Sequence, residues 1–321
     1  MPRSSRRRGL GLAALLLAVA GGASPARAQQ QPQGFAVERF YPSAAGGGWF
    51  VMDELDMHGG LRGAMSFTVG YEKNPLRIGS GAQRLAVVDH QAFASVGASV
   101  GYSRFRFYLD ASLPIAIKGD SGTVGAYSFT GPSLDLGANP DPVYDLRLGA
   151  DVRLFGGPRT PFRLGAGAQL FIPNGQRADY DTDHTFRGMF RGLFAGDVGL
   201  FTYAGHLGVH VRPLDDAPTP GSPHGSELLF GLAGGARLSF GRGDGWAVVL
   251  GPEIFGATAF RSFFGPGGKA FEGLLTGRFE GTADAGMQLR VKLGAGLGSN
   301  GHFGAPDSRV LVGIEIFNRK R

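Results

Sequence analysis

Cysteine is absent from this chain, which excludes disulfide scaffolds, thiolate-bound zinc and thiol catalysis. Tryptophan occurs only twice, and charged residues make up 18% of the sequence. After residue 28 no apolar run is long enough to cross a bilayer as a helix. Convincing 3.6-residue periodicity is also missing, which argues against a helical fold. A dispersed basic excess is lacking too, because the net charge of +6 comes mostly from one end. Residues 1–28 hold five arginines (Arg3, Arg6, Arg7, Arg8, Arg27) and no acid, leaving 27 basic against 26 acidic side chains elsewhere. No nucleic-acid partner is expected from that balance.

Glycine and alternation are what the chain has in quantity. Glycine is 56 of 321 residues without a G-x-y period, and the hydrophobic share of 43% is too high for a disordered chain. Residues 1–28 read as an export signal. Arg6–Arg8 form a basic start, Gly9–Ala20 a short apolar stretch, and Ala26-Arg27-Ala28 a cleavage site, so that the mature chain begins at Gln29. Ser5-Arg6-Arg7-Arg8-Gly9-Leu10 partly matches a twin-arginine signal but lacks its Phe-Leu-Lys part. Residues 29–321 are expected to form one domain.

Within that domain, segments of about ten to fifteen residues alternate with period 2. Met287, Leu289, Val291, Leu293, Ala295 and Leu297 alternate with Gln288, Arg290, Lys292, Gly294 and Gly296. Tyr144, Leu146, Leu148, Ala150, Val152 and Leu154 alternate with Asp145, Arg147, Gly149, Asp151 and Arg153. The apolar faces carry aromatics near both ends. Tyr102, Phe105, Phe162, Phe201, Phe240, Trp246 and Phe279 mark one end; Tyr71, Tyr144, Phe190, Phe230 and Phe271 mark the other. Two aromatic girdles around an apolar band predict an all-β, antiparallel transmembrane β-barrel.

Thirteen strand candidates can be read, and their connections alternate between tight and long. Tight ones fall at His58-Gly59-Gly60, Tyr102-Ser103, Gly156-Gly157-Pro158, Val198-Gly199, 242–245 and 281–283; long ones include 116–141, 174–186 and 213–225. An even number is needed if both ends of the chain are periplasmic, and Phe35–Tyr41 supplies a fourteenth strand. Twelve is the alternative, if the acid-bearing Trp49–Met57 stretch (Asp53, Glu54, Asp56) lies inside the barrel.

The stretches RFYPSAAGGGWFV (Arg39–Val51), YDLRLGADVRLFG (Tyr144–Gly156), RPLDD (Arg212–Asp216) and GSELLFG (Gly225–Gly231) give the chain a further likeness. It resembles the barrel portion of outer-membrane protein A-family proteins of the long, multi-strand kind, and transporter-like barrels of similar length. The resemblance implies insertion into the outer membrane of a Gram-negative-type bacterium, with the lipid bilayer, lipopolysaccharide and the barrel-assembly machinery as partners. The family's peptidoglycan-binding domain has no residues here to carry it. Oligomeric state is left open.

Charges on the inward face are the main functional lead, since a lipid-facing charge would cost ~2–4 kcal/mol near the midplane. Asp145, Arg147, Asp151, Arg153, Arg163, Arg237, Glu253, Arg278, Arg290 and Lys292 fall on that face. They either line a water-filled pore or pair to close it. Arg147, Arg153, Arg163, Arg290 and Lys292 outnumber Asp145 and Asp151, which predicts an anion preference if the lumen is open. His206 and His210 lie two pleats apart, roughly 13 Å at ~3.3 Å per residue, too far for one metal ion, and read as polar lumen residues. No serine is marked as their nucleophilic partner, so no enzymatic activity and no cofactor is expected. Asp179, Asp181 and Asp183 alternate as in a calcium loop but lack its glycine and terminal glutamate; the readings are a solvated acidic loop or weak divalent-cation binding at the lipopolysaccharide surface. Gly294, Gly296 and Gly298 sit in a strand, so they give curvature and close packing rather than a phosphate loop. Passage of small hydrophilic solutes, porin-like or transporter-like, is the leading function; a closed structural barrel is the alternative.

Overall fold

The computed structural model describes residues 34–57, 59–137, 144–214, 225–240, 245–265, 268–282, 286–299 and 304–318. The export signal and the loop tip at Pro220 lie outside them. Among the described residues there are fifteen strands: β1 (Arg62–Ser80), β2 (Gln83–Tyr102), β3 (Phe105–Lys118), β4 (Gly122–Val124), β5 (Tyr127–Phe129), β6 (Ser133–Asp135), β7 (Leu146–Phe155), β8 (Arg163–Ile172), β9 (Arg187–Val198), β10 (Phe201–Val211), β11 (Glu227–Phe240), β12 (Trp246–Ala259), β13 (Lys269–Thr282), β14 (Met287–Gly298) and β15 (Ser308–Asn318). Short 3₁₀ turns at Arg177–Asp179 and Phe260–Ser262 are the helical elements among the described residues.

Strands β1–β3 and β7–β15 pair antiparallel in sequence order, and β1 returns to β15 from Ala64↔Phe317 to Lys73↔Ser308. Twelve strands therefore close the barrel. Strand β6 adds to β3 outside that circuit, and β4–β5 form a separate hairpin. Fourteen strands is the expectation that fails. Phe35–Tyr41 and Trp49–Met57 do not join the wall; both lie in a segment, residues 34–57, that is buried inside the barrel. The reason is chemical. Three acids within Asp53–Asp56 would put charge into lipid in any strand register that exposed them.

The alternating faces sort as the period requires. On β15, Val310, Val312, Ile314 and Ile316 are exposed to the outside, whereas Arg309, Leu311 and Glu315 are buried. All seven aromatics expected at one end are exposed on the outer wall, from Phe279 at 43% to Tyr102 at 65%. At the other end Tyr71 and Phe190 are exposed, but Tyr144 is not. It precedes β7, faces inward, and accepts a hydrogen bond from Gln91. On β7 a bulge between Arg153 and Phe155 resets the alternation, so Leu154 and Phe155 are both exposed and Arg153 is only half-buried.

Ser103–Arg104 and Gly199–Leu200 lie at one rim, and residues 119–137, 173–186, 212–214 and 304–307 at the opposite one. Barrels of this kind keep short turns in the periplasm and long loops outside. One tight turn breaks the alternation: β1 and β2, of 19 and 20 residues, rise above the long-loop rim and join through residues 81–82. The β4–β5 hairpin and β6 pack against this extension through Val87, Val88, Val124, Phe129 and Leu134.

With no native cysteine, Ala126→Cys at the exposed β4–β5 tip should react with an impermeant maleimide on intact cells, and Ser103→Cys should not. The reverse pattern would invert the topology. Leu293, 58% exposed on the lipid side, should tolerate charge badly: Leu293→Arg is expected to lose ~2–4 kcal/mol of folding stability, read from heat-modifiable gel mobility.

Candidate functional site

The site is the lumen together with residues 34–57. This segment starts at the long-loop rim, where the Ala36 amide donates to Asp183 (2.9 Å) and the Val37 amide to the Tyr180 carbonyl (3.0 Å). It ends at the short-turn rim, where the Ser103 amide donates to the Gly59 carbonyl at 3.0 Å. Fully extended, this length would reach roughly 80 Å, far more than a hydrocarbon core of about 30 Å. The excess is taken up by a reversal in which the Ser43 amide donates to Phe50 and the Glu54 amide to Gly47, both at 2.8 Å. Gly48 makes the reversal with φ +109°; a Cβ there would lie 2.7 Å from the Glu54 side chain and 2.8 Å from Arg278 Nη1. Glycine at this point is what lets Glu54 meet Arg278.

Contacts from the wall reach the segment along its whole length. Arg309 on β15 gathers three carboxylates: Glu38 of the segment (3.0 Å), Glu72 on β1 (2.8 Å) and Glu272 on β13 (2.6 Å). Arg39 pairs with Glu227 on β11 at 2.8 Å. Asp53 is held by Arg106 on β3 (2.7 Å) and Arg191 on β9 (3.0 Å), and Glu54 by Arg278 on β13. Cations also lie over three of its rings: Arg309 over Phe40, Arg278 over Trp49 and Lys292 over Phe50, at 4.9, 4.9 and 5.0 Å. Inward glycines make the room. A Cβ at Gly231 would meet Met52 at 2.1 Å, at Gly294 Phe50 at 2.8 Å, and at Gly235 Trp49 at 2.9 Å. Of the three glycines expected to pack closely, Gly294 packs against this segment, whereas Gly296 abuts Gly273 and Leu274 on β13 and Gly298 abuts Ala305 and Pro306.

Glu253, on the inward face as expected, takes a role the sequence did not suggest. Its two carboxylate oxygens accept the Phe50 and Val51 amides, each at 2.9 Å, and the Thr276 hydroxyl at 2.7 Å. It clamps the backbone of the segment rather than pairing with a cation.

Apart from Arg153, which the β7 bulge leaves half-buried, the other charged residues expected in the lumen face inward, in pairs. Asp145 meets Arg187 (2.7 Å), Arg147 meets Asp110 (3.5 Å), and Asp151 meets Arg106 (2.5 Å) and Arg191 (3.2 Å). Arg163 meets Asp197 (2.8 Å), Arg237 meets Glu280 (2.7 Å), Arg290 meets Glu280 (2.8 Å) and Glu315 (2.5 Å), and Lys292 meets Glu315 (2.8 Å). The excess of basic groups expected on three strands is thus offset by carboxylates on the strands beside them. His206 and His210 are not brought together. His210 is fully buried, shares a hydrogen bond with the Tyr41 hydroxyl and packs on Phe171, while His206 lies near Met52. Arg106, Asp110, Arg191, Glu280, Arg309 and Glu315 were missed. Each sits on the inward parity of its strand, a signal that was there to be counted.

Asp179, Asp181 and Asp183 do not converge on a cation. Among the described residues no group of three potential ligands could hold a metal ion. Asp183 instead turns into the mouth and binds Arg212 at 2.6 Å. Burial alone would raise this carboxyl, but the guanidinium groups of Arg212 and Arg187 and the Ala36 amide more than offset that and hold it well below the usual range. Burial pushes the neighbouring Tyr180 phenol up to about 12, so it stays neutral.

Below the segment, a cavity of about 420 Å³ extends to the short-turn rim. Arg62, Arg106, Arg159, Arg163, Arg237 and Arg290 line it, with Asp197, Glu280 and the segment's own Glu54 and Asp56.

No protein-family model and no curated protein matches the chain. Among solved structures it is similar to an outer-membrane channel from Pseudomonas putida F1, with a TM-score of 0.52 and 11% identity over 83% of this chain and 97% of that one. The fold is that of an outer-membrane barrel. The NanC porin (TM-score 0.45, 7% identity, 80% of this chain and 100% of that one) is more distant. So is the β domain of the Bordetella autotransporter BrkA (0.44, 9%, 82% and 100%). The likeness to the Pseudomonas channel supports an outer-membrane barrel and does not single out the outer-membrane protein A family.

Because the Asp183 carboxyl is held low in the folded state, its contribution is full above the unfolded value near ~4 and is lost as pH falls through the folded one. Asp183→Asn should therefore be about 3 kcal/mol less stable at pH 7 and lose less on acidification than the parent. Melting both proteins by gel mobility between pH 7 and 3 tests this; equal acid slopes would remove Asp183 from the latch.

Proposed function

We propose that this chain is a non-enzymatic channel of the Gram-negative outer membrane for small hydrophilic solutes, described here with its lumen shut by residues 34–57. The observation that carries the reading is the charged lumen with its 420 Å³ vestibule, which reaches from the short turns up to the segment. A lumen that only had to be filled could be lined with apolar side chains, at lower desolvation cost than paired charges. The segment is held in large part by carboxylates, amides and cation–ring contacts, which water and ions can replace. The likeness to an outer-membrane channel agrees with this. Lipid, lipopolysaccharide and the barrel-assembly machinery are the partners the reading requires.

The closed structural barrel remains the second reading, favoured by the apolar cluster that joins Phe40, Trp49, Phe50, Val51, Met52 and Leu55 to the wall. Planar-bilayer recordings separate the two. The parent should open rarely. Glu253→Ala strands two buried amides, at ~1–3 kcal/mol each, so its open fraction should rise about tenfold or more. Silence from both proteins, correctly folded, would leave the structural barrel.

A further inference from the structure

The vestibule changes character when the segment leaves it. Six arginines and four acids line it, and two of the four acids, Glu54 and Asp56, belong to the segment. With the segment withdrawn, the six arginines keep Asp197 and Glu280 in the lining, with Asp151 behind Arg106 and Glu315 behind Arg290. Asp53 departs as well, although it lies above the cavity. It takes its contacts away from Arg106 and Arg191, which keep only Asp151 between them. Arg278 loses Glu54 and keeps Glu280, which it already shares with Arg237 and Arg290. The open lumen is thus short of negative charge at a single level, close to the short-turn rim.

We propose that the acidic turn Asp53–Asp56 is a tethered stand-in for the solute, and that the channel takes small anions carrying two or more carboxylate or phosphate groups. This rests on the channel reading above. The stand-in has the features such an anion would need. It presents carboxylates to guanidinium groups from opposite walls: Asp53 between β3 and β9, Glu54 against β13 with the Thr202 hydroxyl of β10 at 3.3 Å. The arginine fork recognises carboxylate and phosphate oxygens alike. The cavity, at about 420 Å³, lies within the usual range for small-molecule sites. The segment's lower end borders the cavity, so a solute arriving from the short-turn side meets the competing carboxylates directly. A monovalent anion can replace one of them, whereas a multivalent one replaces several at once and favours the withdrawn state.

The test is single-channel recording at low salt, with citrate added against acetate at equal ionic strength. Citrate should raise the open fraction of the parent severalfold and acetate should not; open channels should be anion-selective by reversal potential in a salt gradient. Asp53→Asn/Glu54→Gln should open without citrate. Losing even one charge-assisted bond shifts a two-state equilibrium by about tenfold, and citrate should add little further. A parent that conducts but is cation-selective, or answers citrate and acetate alike, overturns the proposal while leaving the channel standing. The parent measurement decides even if the double variant does not fold. No conductance in any protein under any condition fails the channel reading itself.

Discussion

A side chain that points outward from this barrel meets hydrocarbon, so nearly every charge carried by a membrane-spanning strand has to point in. Arg106, Asp110, Asp151, Arg163, Arg191, Glu253, Arg278, Arg290, Lys292, Arg309 and Glu315 are thereby confined to one narrow space and are all buried. So deep a burial means that an isolated ion would cost several kcal/mol to keep. The interior has to be close to electrically complete, and the wall does not complete it unaided. Arg309, Arg191 and Arg278 each spend part of their bonding capacity on a residue of the N-terminal segment.

The segment is therefore part of the interior's charge pattern as well as its filling. Its upper end carries Glu38 and Arg39 side by side, answered by Arg309 and Glu227. Its lower end is wholly acidic and is answered by arginines from both sides of the lumen. Apolar residues between the two ends occupy space left by wall glycines. Binding of this kind is divided among many moderate contacts. A lumen sealed in that way can be unsealed by a competitor that offers the same chemistry.

Most of the wall was legible from alternation alone, because period 2 and the aromatic rims are direct consequences of a bilayer on one face. Pairing across strands was harder to read. Arg290 and Lys292 could be placed inward from β14, but their partner Glu315 becomes a neighbour only through the register of β14 with β15. Phe35–Tyr41 was misassigned for a physical reason: a chain buried inside a barrel also alternates apolar and polar residues, and nothing local says which surface it meets. Trp49–Met57 belongs inside only in the twelve-strand alternative, and the structure favours that alternative because Asp53, Glu54 and Asp56 cannot all escape lipid in a wall strand. Glu253 gave no warning of its role, because a carboxylate that clamps backbone amides looks in sequence like one that awaits an arginine.

The direction in which the segment runs has a bearing on manufacture. Its tether to β1 is at the short-turn rim, while its first described residues lie at the long-loop rim beside Tyr180 and Asp183. Threading it into a finished barrel would drag Glu38 and Arg39 past the whole column of opposing charges, breaking and remaking pairs at every level. Laying it down before β15 zips onto β1 avoids that passage. An assembly order with the segment in place before β15 pairs with β1 would make it the mandrel on which the remaining strands are wrapped.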